Sequence, residues 1–108
     1  MQRFVLGVAL AIGLAGAASA TPSKRWEVTG LDTPESVVFD AASNALYVSS
    51  IGGEIMAKDQ NGFISKVSPD GQMIERGWVT GLDGPTGLAL SNGKLFAADI
   101  NQLVEIDI

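Results

Sequence analysis

Val28-Thr29-Gly30-Leu31-Asp32-Thr33-Pro34 returns further along the chain as Val79-Thr80-Gly81-Leu82-Asp83-Gly84-Pro85. Each copy leads into an apolar run, a turn and a second apolar run. In the first these are Val37-Val38-Phe39 and Leu46-Tyr47-Val48; in the second, Leu88-Ala89-Leu90 and Leu95-Phe96-Ala97. A period of about 40–50 residues carrying several short strands predicts an all-β chain built from β-propeller blades. Such rings close with about four to eight blades, and Ile108 falls inside the second repeat. The expectation is therefore an N-terminal fragment of a propeller, with residues 30–80 as blade one and 81–108 as an incomplete blade two.

Strands are predicted at Glu35–Phe39, Ala45–Ser49, Gly62–Val67 and Met73–Thr80 in the first repeat. The β-branched residues suit a half-buried pleated surface, and Asp40-Ala41-Ala42-Ser43-Asn44 and Ser68-Pro69-Asp70-Gly71 carry turn chemistry. The second repeat predicts strands at Thr86–Leu90, Lys94–Ala98 and Gln102–Ile106. In the last, Val104, Ile106 and Ile108 alternate with Leu103, Glu105 and Asp107. Trp26-Glu27-Val28-Thr29 precedes the first copy of the repeat as Gly77-Trp78-Val79-Thr80 precedes the second. Residues 21–29 are therefore expected to form an outer strand that closes the last blade of a parent ring. Alone, that strand and the bare blade faces would be unprotected, so self-association through unpaired blade edges is also expected. The stretch between Ile51 and Ile64 is far longer than its counterpart Asn101-Gln102, which makes residues 52–62 a candidate binding loop.

Residues 1–20 read as a signal peptide. Arg3 supplies the positive start, Phe4 to about Ala15 an uncharged apolar run, and Ala18-Ser19-Ala20 a small-x-small site for cleavage between Ala20 and Thr21. The apolar run falls short of the roughly 20 residues that a stable membrane anchor requires. A periplasmic or secreted location follows from that reading. The 12 acidic residues all lie after this segment, and no run of Lys or Arg exists, which argues against nucleic acid as a partner. The chain has no Cys and no His. Disulfides, thiolate nucleophiles and the commonest general base are thus unavailable.

Pro34-Glu35-Ser36-Val37-Val38-Phe39-Asp40 with Asn44-Ala45-Leu46-Tyr47-Val48, and Phe63-Ile64-Ser65-Lys66-Val67-Ser68-Pro69-Asp70-Gly71, resemble an exported bacterial branch of the SMP-30/gluconolactonase/LRE-like family. NHL-repeat proteins are related propellers. The resemblance spans residues 26–108 and implies a six-bladed ring. It also implies a divalent cation, Ca²⁺ or Zn²⁺, with Glu35 as one metal ligand; an Asn and a further Asp would come from later blades. The chain departs from the lactonase pattern at Ser36, where Gly is usual. Thr86, at the position matching Glu35, and Asp99, at the end of the following strand, become candidates to face the channel and the substrate. Asp99 also suits a second role, capping backbone N–H groups between blades.

Two functions follow from the resemblance. One is a metal-dependent hydrolase of lactones or sugar-acid derivatives, in a parent of which this chain alone is an inactive part. The other is a non-catalytic NHL-like propeller that binds a small molecule or a periplasmic protein through its channel face and the 52–62 loop. Two further patterns fail. Asp59-Gln60-Asn61-Gly62 lacks the other acids of a calcium loop, and Gly87 to Leu95 lacks the hydroxyl of a phosphate loop.

Overall fold

The computed structural model of the chain describes residues 19–108. The signal peptide read over residues 1–20 lies almost wholly outside that range; Ala20 and Thr21, at its cleavage point, are exposed. Seven strands follow: β1 (Pro34–Asp40), β2 (Ala45–Ser50), β3 (Gly62–Val67), β4 (Met73–Leu82), β5 (Pro85–Ser91), β6 (Lys94–Asp99) and β7 (Gln102–Asp107). The first four form one antiparallel sheet in the order β1-β2-β3-β4, the last three a second in the order β5-β6-β7. No helix occurs among the described residues.

Local chemistry explains the turns. Asn92 and Gly93 both take positive φ, 50° and 75°, between the paired Ser91 and Lys94. This two-residue reversal twists with its strands and favours Asn-Gly. Between β1 and β2, the Asp40 carboxylate accepts from both the N–H and the hydroxyl of Ser43, at 3.2 and 2.5 Å. The Ser43 hydroxyl, first among the causes, holds the Asp40 carboxyl below its usual range. Between β3 and β4, Gly71 N–H donates to Ser68 O at 3.0 Å with φ at 91°. Across the second sheet, the Lys94 ammonium donates to Asp107 at 2.5 Å and lies 3.3 Å from Glu105, and both hold its pKa above the ordinary value.

Strand alternation gives each sheet two faces. Val38, Tyr47, Ile64 and Val79 belong to one face of the first sheet. Leu88, Leu90, Leu95, Ala97, Val104 and Ile106 belong to one face of the second, and the two sets share a single apolar cluster. Tyr47, Ile64, Leu95 and Ala97 are wholly buried there. Burying a side chain of that size contributes about 1.5–3 kcal/mol. The Tyr47 ring tilts against Trp78 with centroids 4.8 Å apart, and its hydroxyl is satisfied by Ser43 at 3.2 Å. Ser49 joins the sheets by polar contact. Its buried Oγ accepts from Ser36 N–H at 3.1 Å and donates to the Thr86 carbonyl at 2.7 Å, tying β1, β2 and β5 together.

Residues 21–29, expected as the outer strand of a parent ring's last blade, carry no regular structure in this chain. Instead the Trp26 ring lies on Gly71, where an added Cβ would come within 2.7 Å of it, and its Nε1–H donates to Pro69 O at 3.0 Å. β4 also runs to Leu82, beyond the predicted Thr80, and bulges where Ile64 pairs Val79 but Lys66 pairs Glu75.

Replacing Ser49 by Ala leaves the Ser36 N–H and the Thr86 carbonyl without their buried partner. Loss of about 1–3 kcal/mol of unfolding free energy is expected, read as a lower urea midpoint. An unchanged midpoint would show that Ser49 does not join the sheets.

Candidate functional site

In an antiparallel meander successive connections alternate between the two ends of the sheet. The starts of β1 and β5, the β2–β3 loop and the β4–β5 turn therefore share one end. The sequence candidates Glu35 and Thr86 both fall there, at the second residue of β1 and of β5.

Asp99 anchors this end from within. It is 3% exposed, and its carboxylate accepts from Asp83 N–H at 3.1 and 3.0 Å and from Gly84 N–H at 2.6 Å. Those bonds engage both oxygens in holding the β4–β5 turn, as the capping role set out for Asp99 requires. Asp83 in turn fixes the long loop: its Oδ1 accepts from Gln60 N–H at 3.1 Å. The loop is pinched at Gly52, with φ 69°, where a Cβ would lie 2.1 Å from Asn61 O. Only glycine fits that approach. In the first repeat the matching turn is held differently. Gly52 N–H donates to Asp32 O at 3.2 Å and Ile51 N–H to Thr33 O at 3.1 Å. Ser50, which stands where Asp99 stands in the second repeat, has a buried Oγ with no partner among the described residues.

Thr86 is half-buried and its hydroxyl turns toward the Ala98 carbonyl at 3.4 Å, while its own carbonyl is taken by Ser49. Glu35 is exposed and borders an apolar groove of about 320 Å³ lined by Trp26, Val28, Leu31, Val37, Leu46 and Val48. Apart from Ser36, its neighbours there offer no side-chain oxygen. Among the described residues no group of three or more acidic, His or Cys side chains is placed to hold a metal ion. A hard cation takes about six to eight oxygens, more than Glu35 and Ser36 bring together here.

A second cleft, of about 450 Å³, opens at the foot of the long loop and is predominantly polar. Asp32, Gln60, Asn61, Arg76 and Thr80 line it, with Phe63 as part of its wall. The Arg76 side chain bends back so that Nε–H donates to Gly30 O at 2.7 Å and the guanidinium lies 4.3 Å over the Phe63 ring. That clamp leaves its terminal nitrogens without a hydrogen-bond partner among the described residues, available to a bidentate acceptor. Carboxylate, amides, guanidinium and hydroxyl around one concavity can hydrogen-bond a small polar molecule from several sides. The sequence reading singled out the loop but not Arg76, Asp83 or Ser49. The repeat of Asp32 as Asp83 was the available signal for the second of these.

Compared with known protein families, with curated proteins and with solved structures, the chain matches none.

Asp99→Ala removes three acceptor contacts from two backbone N–H groups and is expected to cost about 2–4 kcal/mol, whereas Asp99→Asn keeps one acceptor oxygen and costs less. Urea unfolding of both variants checks the order. Equal, negligible losses would contradict the capping role.

Proposed function

We propose that the two sheets are successive blades of an exported propeller of the SMP-30/gluconolactonase-like kind, and that its role is to recognise a small polar molecule at the loop-bearing end. The polar cleft carries this reading. Its donors and acceptors converge on a volume of small-ligand size, and the loop that walls it is tethered to Asp83 rather than left free. A sugar acid suits the set: a carboxylate for the Arg76 guanidinium, and hydroxyls for Asp32, Gln60, Asn61 and Thr80. Location outside the cytoplasm rests on the leader read at residues 1–20.

The rival reading, a metal-dependent lactonase with Glu35 as a ligand, asks for oxygen donors that residues 19–108 do not bring to Glu35. It would need them from elsewhere. No catalytic step is assigned to this chain.

Calorimetry separates the two. With gluconate, other sugar acids and neutral sugars as probes, saturable binding is expected, weakened about 10–100-fold by Arg76→Ala through loss of a charged hydrogen bond. Titration with Ca²⁺ and Zn²⁺ is expected to give no heat that depends on Glu35. Absence of binding by every sugar probe, or cation binding abolished by Glu35→Ala, would overturn the recognition reading.

A further inference from the structure

The polar cleft at the foot of the long loop holds two opposite charges that do not neutralise each other. Among the residues that line it, Asp32 is the only acid and Arg76 the only base. Neither takes part in an ion pair among the described residues, with the other or with any third side chain. A carboxylate and a guanidinium facing one concavity of about 450 Å³ attract each other. Each is held back by the chain around it.

Arg76 is clamped from two sides. Its Nε–H donates to Gly30 O at 2.7 Å, and its guanidinium lies 4.3 Å over the Phe63 ring. Asp32 is held through its backbone. Its carbonyl accepts from Gly52 N–H at 3.2 Å, and the Thr33 carbonyl accepts from Ile51 N–H at 3.1 Å. Thr33, at φ 52°, turns the chain there, and its hydroxyl donates to the Asp32 carboxylate at 3.4 Å. The segment Gly30-Leu31-Asp32 therefore carries one charge and anchors the other. Backbone contacts, not the mutual attraction of two side chains, set their separation. The other acids of this loop region are engaged: Asp59 Oδ1 accepts from Asn61 N–H and Asp83 Oδ1 from Gln60 N–H, each at 3.1 Å.

This fixed pair sets a condition on what fits. A ligand with a carboxylate alone pairs with Arg76 but brings a like charge toward Asp32; one with an ammonium alone meets the same conflict at Arg76. A ligand bearing both groups satisfies both side chains. The guanidinium offers a fork of donors to a carboxylate, and an ammonium has three donors for Asp32 and its neighbours. We propose that the ligand of this cleft is a zwitterion, an α-amino acid group whose carboxylate meets Arg76 and whose ammonium meets Asp32. The proposal rests on the recognition reading of the cleft and narrows it, giving Asp32 a cation in place of a hydroxyl. Gln60, Asn61 and Thr80 remain for the hydroxyls of the chain that bears the head. Asp32 and Arg76 are both exposed, so water screens the pairing and the amine adds selectivity more than affinity.

Calorimetry with gluconate and glucosaminate tests this, since the two differ by one ammonium in place of one hydroxyl. The wild type is expected to bind glucosaminate about 3–10-fold more tightly. Asp32→Asn keeps the shape of the side chain and its acceptor for Thr33 but removes the charge. It is expected to weaken glucosaminate while leaving gluconate unchanged or tighter, so that the preference disappears. Loss of fold would weaken both, and the two causes are thereby separated. Serine carries the same charged head without the polyhydroxy chain. Serine bound as tightly as glucosaminate, and weakened by Asp32→Asn, identifies amino acids as the class; serine bound more weakly identifies amino sugar acids. Gluconate bound as tightly as glucosaminate, or a preference that survives Asp32→Asn, would overturn the zwitterion and leave sugar-acid recognition standing. Failure of every probe to bind would overturn both.

Discussion

A small sheet exposes two faces to water, and one sheet of four short strands cannot hide both by itself. The stacking of the Tyr47 and Ile64 face on the Leu88, Leu95 and Ala97 face is the contact on which the rest of this structure depends. With no disulfide to assist, apolar burial between the sheets must offset much of the chain entropy lost on folding. Ser49 adds direction to that contact. A hydroxyl buried between sheets would cost free energy unless satisfied, and its bonds to Ser36 and Thr86 are available only when β1 and β5 stand in their observed places. The starts of these two strands, and hence Glu35 and Thr86, are set by the same interaction.

From that stacking follows the arrangement of the loop-bearing end. Asp99 holds the β4–β5 turn, the turn presents Asp83, and Asp83 holds Gln60 in the long loop. The order runs outward from buried to exposed, so the long loop is positioned by a buried carboxylate. In the first repeat the corresponding turn leans on loop backbone instead, and the buried Ser50 hydroxyl has no partner among the described residues. The difference between the two turns thus accompanies the long loop of the first repeat.

Much of the fold was legible in the sequence because strand alternation and turn chemistry are local. The bounds read for β3 agree with those observed, and the Asn92-Gly93 and Ser68–Gly71 reversals form as their residues require. Trp26–Thr29 mirrors the run before the second copy of the repeat but takes no regular structure in this chain, since pairing depends on a neighbouring edge and not on the segment's own residues. The capping role of Asp99 could be anticipated from its place at a strand end. Ser49 and Arg76 could not, since a small hydroxyl in an apolar run and an arginine on an outer strand acquire meaning only when β5 and the Gly30 carbonyl come near them.

The stacked arrangement of the sheets is the central claim, and nuclear Overhauser contacts between side-chain protons test it most directly. The account predicts cross-peaks linking the Tyr47 ring and the Ile64 methyls to the methyls of Leu88, Leu95 and Ala97 in solution. Contacts confined within each sheet, with none between the two sets, would contradict it.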